Sequence, residues 1–224
     1  MNGNVYILIP VFNEENKIKD VVEDLKTSFE NIVVVNDGST DLTGDILDSL
    51  NVIHIKHILN LGQGAAISTG LEWIKNIDDA EAVITFDADG QHLVSDAKTF
   101  ANEILRCEEE IIFGSRFLED QSNISLIKRI VLKIVVVFTR KLSNINLTDA
   151  HNGLKAYKKS CLDNIKITID GFGFESQIIN EVSKKNIKYK EMPMTIIYSD
   201  YSKAKGQKLL NGLIILEDLF KSKN

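Results

Sequence analysis

Five short apolar runs punctuate the first half of the chain: 4–10 (NVYILIP), 31–37 (NIVVVND), 52–57 (VIHIKH), 82–89 (AVITFDAD) and 110–116 (EIIFGSR). Their shortness and their Val/Ile content predict buried strands. Between them the apolar spacing stretches to the helical period. Ile18, Val21, Val22, Leu25 and Phe29 share one helix face, with Asn13 as the expected N-cap and Glu14 and Glu15 near the positive end of the dipole. Two further helices are expected over about 63–75 and 95–107. The alternation predicts an α/β fold, a largely parallel sheet with helices on both faces. Ligands of such sheets collect outside the carboxyl ends of the strands. Three polar segments fall at those ends: PVFNEE, NDGSTD and DADGQH.

Composition adds limits. A chain of 224 residues, 44% hydrophobic and 26% charged, with 2 prolines and 13 glycines, suits one domain over 1–224 without linkers or repeats. A net charge of −6 argues against nucleic acid as a partner. The total hides a local asymmetry: 121–148 contains no acid, while Lys128, Arg129, Lys133, Arg140 and Lys141 are basic. Ile127, Ile130, Val131, Ile134, Val135, Phe138, Leu142 and Ile145 line one face of an amphipathic helix over about 124–145, and Arg129, Lys133 and Arg140 another. Such a helix suits an anionic membrane surface. Ordinary packing, a partner protein, or pairing of two copies as a homodimer are the other uses of that face. Cys107 and Cys161 form no CxxC, which fits a reducing cytoplasm. Neither a signal peptide nor a membrane span is read, so the expected place is the cytoplasm, peripheral at the inner membrane face.

Candidate chemistry sits in the polar segments. Asp37 follows a buried strand in a Gly-Ser-Thr turn, which reads either as turn chemistry or as a carboxylate accepting from a ligand's ring edge. NLGQGAAISTG (60–70) fails the dinucleotide pattern, because Ile67 holds the third glycine position. DADGQH brings Asp87 and Asp89 together after an apolar strand. Mg²⁺ takes oxygen ligands, usually one or two carboxylates plus waters and phosphates, and a turn at Gly90 could bring Asp89 and the Gln91 carbonyl to one ion. His54 and His57 read as structural, whereas His92 and His151 lie where either could contact substrate. GFGFESQI places Glu175 at a helix start, either as a dipole partner or as a carboxylate aimed into a cleft.

IPVFNEE, VVNDGSTD, NLGQGAA, FDADGQH, GSRF and TDAHNGLKAY occur in an order that covers nearly the whole chain. The set resembles the family-2 inverting glycosyltransferases of GT-A fold, nearest the dolichol-phosphate mannose synthase-like branch and bacterial surface-polysaccharide enzymes. The resemblance implies a nucleotide-sugar half over 1–118 and an acceptor half over 119–224. In the first half, Pro10, Val11, Phe12, Asn13, Glu14, Asp37, Gly64, Asp87 and Ala88 would line a site for a GDP- or UDP-linked sugar. Asp87, Asp89 and Gln91 would hold Mg²⁺ or Mn²⁺. Asp89, Glu175 and Arg116 would be catalytic, and Arg116, His151, Lys203, Lys205 and Lys208 would meet acceptor or phosphate charge.

The chain departs from that pattern in two places. Relatives that glycosylate a hydroxyl usually carry Glu-Asp near Glu175, the Asp serving as base, but Ser176 follows here. A phosphate acceptor is ionised without a base, so a polyprenyl phosphate is the expected acceptor. A lipid-linked glycan hydroxyl, with Glu175 as base, is the alternative. The C-terminal membrane spans of some relatives are also missing, which leaves docking to the amphipathic helix. A sugar-phosphate nucleotidyltransferase would need a glycine-rich basic loop where PVFNEE stands. A non-catalytic nucleotide-sugar binder would not need the metal ligands.

Overall fold

The computed structural model describes residues 4–119, 136, 140, 143, 145–150, 152–171 and 173–197. The chain opens with strand β1 (Val5–Val11), in which every residue is buried. Helix α1 (Ile18–Lys26) leads to β2 (Asn31–Asn36), and α2 (Thr43–Ser49) to β3 (Ile53–Lys56). Helix α3 (Gln63–Lys75) then crosses back to β4 (Ala82–Thr85), beside β1 on its other side. Helix α4 (Val94–Ile104) precedes β5 (Ile111–Ser115). Strand β6 (Lys155–Lys158), a 3₁₀ turn (Lys159–Asn164), α5 (Phe174–Lys184) and β7 (Tyr189–Pro193) follow.

The seven strands form one sheet in the order β3-β2-β1-β4-β6-β5-β7. All pairs are parallel except the two made by β6, which runs against both β4 and β5. The reversal is consequential. Its first residue, Lys155, pairs with Thr85 of β4 and Phe113 of β5, so the segment entering β6 lies at the carboxyl ends of its neighbours.

Period-two alternation divides the core. Val5, Ile7, Ile9 and Val11 of β1 pack with α1 and α4 on one face, while Tyr6 and Leu8 pack with α3 and α5 on the other. A strand covered on both faces loses its polar positions, which is why β1 reads as a continuous apolar run. Because the chain leaves β1 toward β2 on one side and later returns to β4 on the other, a crevice opens between those strands at their carboxyl ends.

Three sequence expectations change. Asn13 does not cap α1, which begins at Ile18. Asn13 instead has φ of 53° and accepts from Thr40 N at 2.9 Å, tying the first polar segment to the second. The run 82–89 ends as a strand at Thr85, leaving Asp87 and Asp89 on the following turn. Strand β3 is an outer strand, half-buried to exposed, which explains its mixed Ile/His/Lys composition. The sheet is largely parallel as expected, with β6 alone antiparallel to its neighbours. The amphipathic segment 124–145 lies outside the described residues except at Val136, Arg140, Ser143 and Ile145. Arg140 there is helical and donates from Nε to Leu147 O at 2.6 Å. Among the described residues no helix is long and apolar enough to cross a membrane.

Candidate active site

A cavity of about 520 Å³ occupies the β1/β4 crevice. Pro10, Val11, Phe12 and Glu14 line it from the end of β1, Asp37 from the end of β2, and Asp87, Ala88 and Asp89 from the turn after β4. Asn60, Gly62, Gln63 and Ala66 close one side, from the loop before α3 and its first turns, and Gly171 adds a backbone wall. The three polar segments thus meet at one edge of the sheet.

Asp37 is 3% exposed, and its carboxylate is already engaged. Oδ1 accepts from Leu61 N at 3.0 Å and contacts His57 Nδ1 at 2.7 Å, while Oδ2 accepts from Gly62 N at 2.7 Å. His57 Nε2 meets Thr69 Oγ1 of α3 at 3.0 Å. Asp37 therefore ties the 60–62 loop to the strand end as well as facing the cavity. Gly38 lets that loop approach, since a Cβ there would lie 2.4 Å from the Leu59 carbonyl carbon. His57 is structural, as its strand position suggested.

Asp87 and Asp89 differ sharply. His92 Nε2 reaches Asp87 Oδ2 at 2.9 Å, and Gln63 Nε2 lies 3.5 Å from Oδ1. Burial works to raise the Asp87 pKa, but the His92 hydrogen bond and the charges of His92, Lys155 and Arg116 outweigh it and hold the carboxyl below its usual range. Asp89 accepts no hydrogen bond from His92. Burial, then the Asp87 charge, with a further push from Glu14, raises it to about 6 against the opposing Gln91 backbone bond and His92 charge. Gln91 donates to Asp89 from its backbone N at 3.0 Å and from Nε2 at 2.6 Å. The Gln91 backbone carbonyl accepts from Ile197 N at 2.9 Å, while its side-chain oxygen is the other carbonyl the residue could offer an ion.

The donor set fits a hard divalent cation. Four carboxylates, Glu14, Asp37, Asp87 and Asp89, line the cavity, and no Lys or Arg does among the described residues. A diphosphate could not enter such a field without a cation to offset it. Among the described residues no three His, Cys, Asp or Glu side chains converge as a protein-only metal cage. Two carboxylates completed by substrate oxygens match Mg²⁺ or Mn²⁺ instead.

Behind this turn lie Arg116 and Glu175, with charged partners the sequence did not single out: Asp149, Lys155 and Glu191. Arg116 forks onto Asp149, Nε to Oδ2 at 2.6 Å and Nη2 to Oδ1 at 2.7 Å, both side chains being buried. Asp149 and Thr148 are in turn fixed by Glu191 of β7, which accepts from their backbone N–H groups. Lys155, 2% exposed, ion-pairs with Glu175 on the first turn of α5 and donates to Asn152 O. Burial raises the Glu175 pKa, with Asp87 and Asp149 adding to the rise and Lys155 opposing it. Neither Arg116 nor Glu175 borders the cavity; both stand behind Asp87. Gly64 donates its N–H to Asp170 O at 2.8 Å and likewise stands behind the wall. Asn13 also lies off the lining, in the turn contacts above. His151, Lys203, Lys205 and Lys208 fall outside the described residues.

Comparison with known proteins follows the same lines. Residues 6–166 match the profile described as glycosyl transferase family 2. The chain is 32% identical over 233 residues to the UDP-N-acetylglucosamine–dolichyl-phosphate N-acetylglucosaminyltransferase of Methanococcus voltae, covering 94% of this chain and 92% of that one. It is 24% identical over 228 residues to the polyprenol monophosphomannose synthase of Mycolicibacterium smegmatis, covering 96% and 84%. Among solved structures, glucosyl-3-phosphoglycerate synthase from Mycobacterium tuberculosis, in complex with Mn²⁺ and UDP-glucose, superposes with a TM-score of 0.73 at 13% identity. That superposition covers 98% of this chain and 78% of that one, a likeness of fold.

Proposed function

The chain belongs to glycosyl transferase family 2, with a GT-A fold, and from that premise we propose that it moves a sugar from a nucleotide-diphosphate sugar to a polyprenyl phosphate, with inversion. The acidic cavity at the carboxyl ends of β1, β2 and β4 is the donor site in this reading. Asp37 faces the base, Glu14 the ribose side, and Asp87 with Asp89 the diphosphate. Mg²⁺ or Mn²⁺, held by Asp89 with Asp87 and the Gln91 amide oxygen, would neutralise charge on the leaving diphosphate.

One observation carries the choice of acceptor. Glu175, the carboxylate nearest the place where hydroxyl-glycosylating relatives keep a base, is 7% exposed, ion-paired with Lys155 and off the cavity wall. A base has to reach the proton it removes. A phosphate monoester brings an ionised oxygen of its own. That oxygen attacks the anomeric carbon opposite the nucleoside diphosphate. The new C–O bond forms as the bond to the β-phosphate oxygen breaks, and the nucleoside diphosphate leaves with the electron pair.

The relatives named above for dolichyl-phosphate and polyprenol substrates support this reading. In it the protein works at the cytoplasmic membrane face, with the basic segment 121–148 and Lys203, Lys205 and Lys208 toward the lipid phosphates. The test is transfer of radiolabelled sugar from UDP- and GDP-sugars to undecaprenyl or dolichyl phosphate. A labelled lipid that releases free sugar in mild acid is expected. Transfer only to a sugar hydroxyl, abolished in Glu175→Gln, would overturn the phosphate acceptor.

A further inference from the structure

Among the described residues His92 is the one histidine that touches an acidic side chain of the β4 turn, and the mechanism above gives it no task. Its side chain is 1% exposed, so it cannot meet substrate. Nε2 lies 2.9 Å from Asp87 Oδ2, and an ionised carboxylate only accepts, so Nε2 carries the hydrogen. Nδ1 is buried and has no hydrogen-bond partner. A buried acceptor left unsatisfied costs about 1–3 kcal/mol, so packing alone does not explain a histidine here. The ring is fixed from elsewhere, standing edge-on to Phe86 at a centroid distance of 5.3 Å, while the His92 backbone bridges to Ile196.

We infer that His92 is a positioning residue: it holds Asp87 by Oδ2 so that Oδ1 faces the cavity in a single orientation. Gly153 packs against the same carboxylate, because a Cβ there would lie 2.2 Å from Asp87 Oδ2 and 2.4 Å from Oδ1. With Oδ2 held, Asp87 offers the cation one oxygen and cannot swing to chelate it with both. Asp89, held only by its neighbour Gln91, is the mobile member of the pair. Hydrogen bonds that reach a metal-ligating side chain from behind set its orientation.

The inference rests on the metal-binding part of the proposed function, and the test separates the two. Wild type, His92→Gln (which retains a donor amide) and His92→Phe (which retains a ring against Phe86) are titrated with Mn²⁺, alone and with uridine diphosphate, by electron paramagnetic resonance. A 10–100-fold weaker Mn²⁺ affinity is expected for His92→Phe, with most of it restored in His92→Gln. Crystal structures of the three should show Asp87 turned only in His92→Phe. An unmoved Asp87 or wild-type Mn²⁺ affinity in His92→Phe overturns the assignment, as does His92→Gln behaving no better than His92→Phe. Should either variant fail to fold, the ¹⁵N spectrum of wild-type His92 decides: a proton on Nδ1 instead of Nε2 overturns it. A wild type that binds no Mn²⁺ would sink the metal reading, while the Asp87 conformers would still judge His92.

Discussion

Gly153 shows how little room surrounds the carboxylate that His92 holds. An added Cβ would come within 2.4 Å of both Asp87 oxygens, and no rotamer of a Cβ relieves that. Gly153→Ala should therefore displace Asp87 by about an ångström and cut turnover about 10²-fold. Circular dichroism would show a folded protein, and steady-state kinetics would locate the loss in kcat. The carboxylates themselves were legible in the sequence, because two acids directly after an apolar strand are rare without a reason. Their supports were not. Lys155 in GLKAY carries no local sign of burial, and its partner Glu175 lies in a later helix. Asp149 likewise gives no sign until Arg116, 33 positions earlier, is seen forked onto it. Pattern within a window cannot show a partner that far away.

At the scale of elements, helix α3 sets the cavity's width. Its N-terminal turn is pinned by Gly64, whose N–H reaches Asp170 O and whose missing Cβ would lie 2.1 Å from Ile169 O. Further along, Gly70 admits Leu8 of β1, with a hypothetical Cβ 2.1 Å from Leu8 Cδ1. Gly64→Ala should push the 169–171 loop away from α3, widening the wall shared by Gln63 and Gly171. The expected result is a loss of about 1–3 kcal/mol in urea denaturation, and a donor KM that rises more than kcat falls. The failed dinucleotide pattern in NLGQGAAISTG is explained here: its glycines serve close packing between α3 and its neighbours. The strands and helices before residue 116 were legible because their apolar faces repeat. Helix α2 was not, since in Thr43–Ser49 only Thr43 and Leu47 are buried, too few to set a period.

The whole molecule presents a cavity whose charge opposes its proposed ligand. A nucleoside diphosphate should therefore stabilise the fold only when a cation accompanies it. At a concentration near 100 times Kd, ligand linkage gives about 2.7 kcal/mol. For a chain of this size that is a rise in melting temperature of roughly 5–10 °C. Thermal-shift scans with UDP or GDP, with and without Mg²⁺, should show the rise with metal alone, and Asp89→Asn should abolish it. A shift of equal size without metal would contradict the cation's place here. The general position of the candidate site was readable from chain order, since three polar segments each follow an apolar strand and ligands collect at such ends. The mixed sheet was not, because nothing in the spacing says that β6 returns between β4 and β5. That backward strand also decides whether the protein can be divided. A fragment ending at residue 118 would keep the proposed donor lining through Asp89 yet lose β6 and β7, leaving one edge of β4 bare and β5 with no partner on either side, prone to stick to other chains. The boundary expected at 118 therefore cuts through one continuous sheet, and the stretch before it is not a module that could be exchanged between proteins.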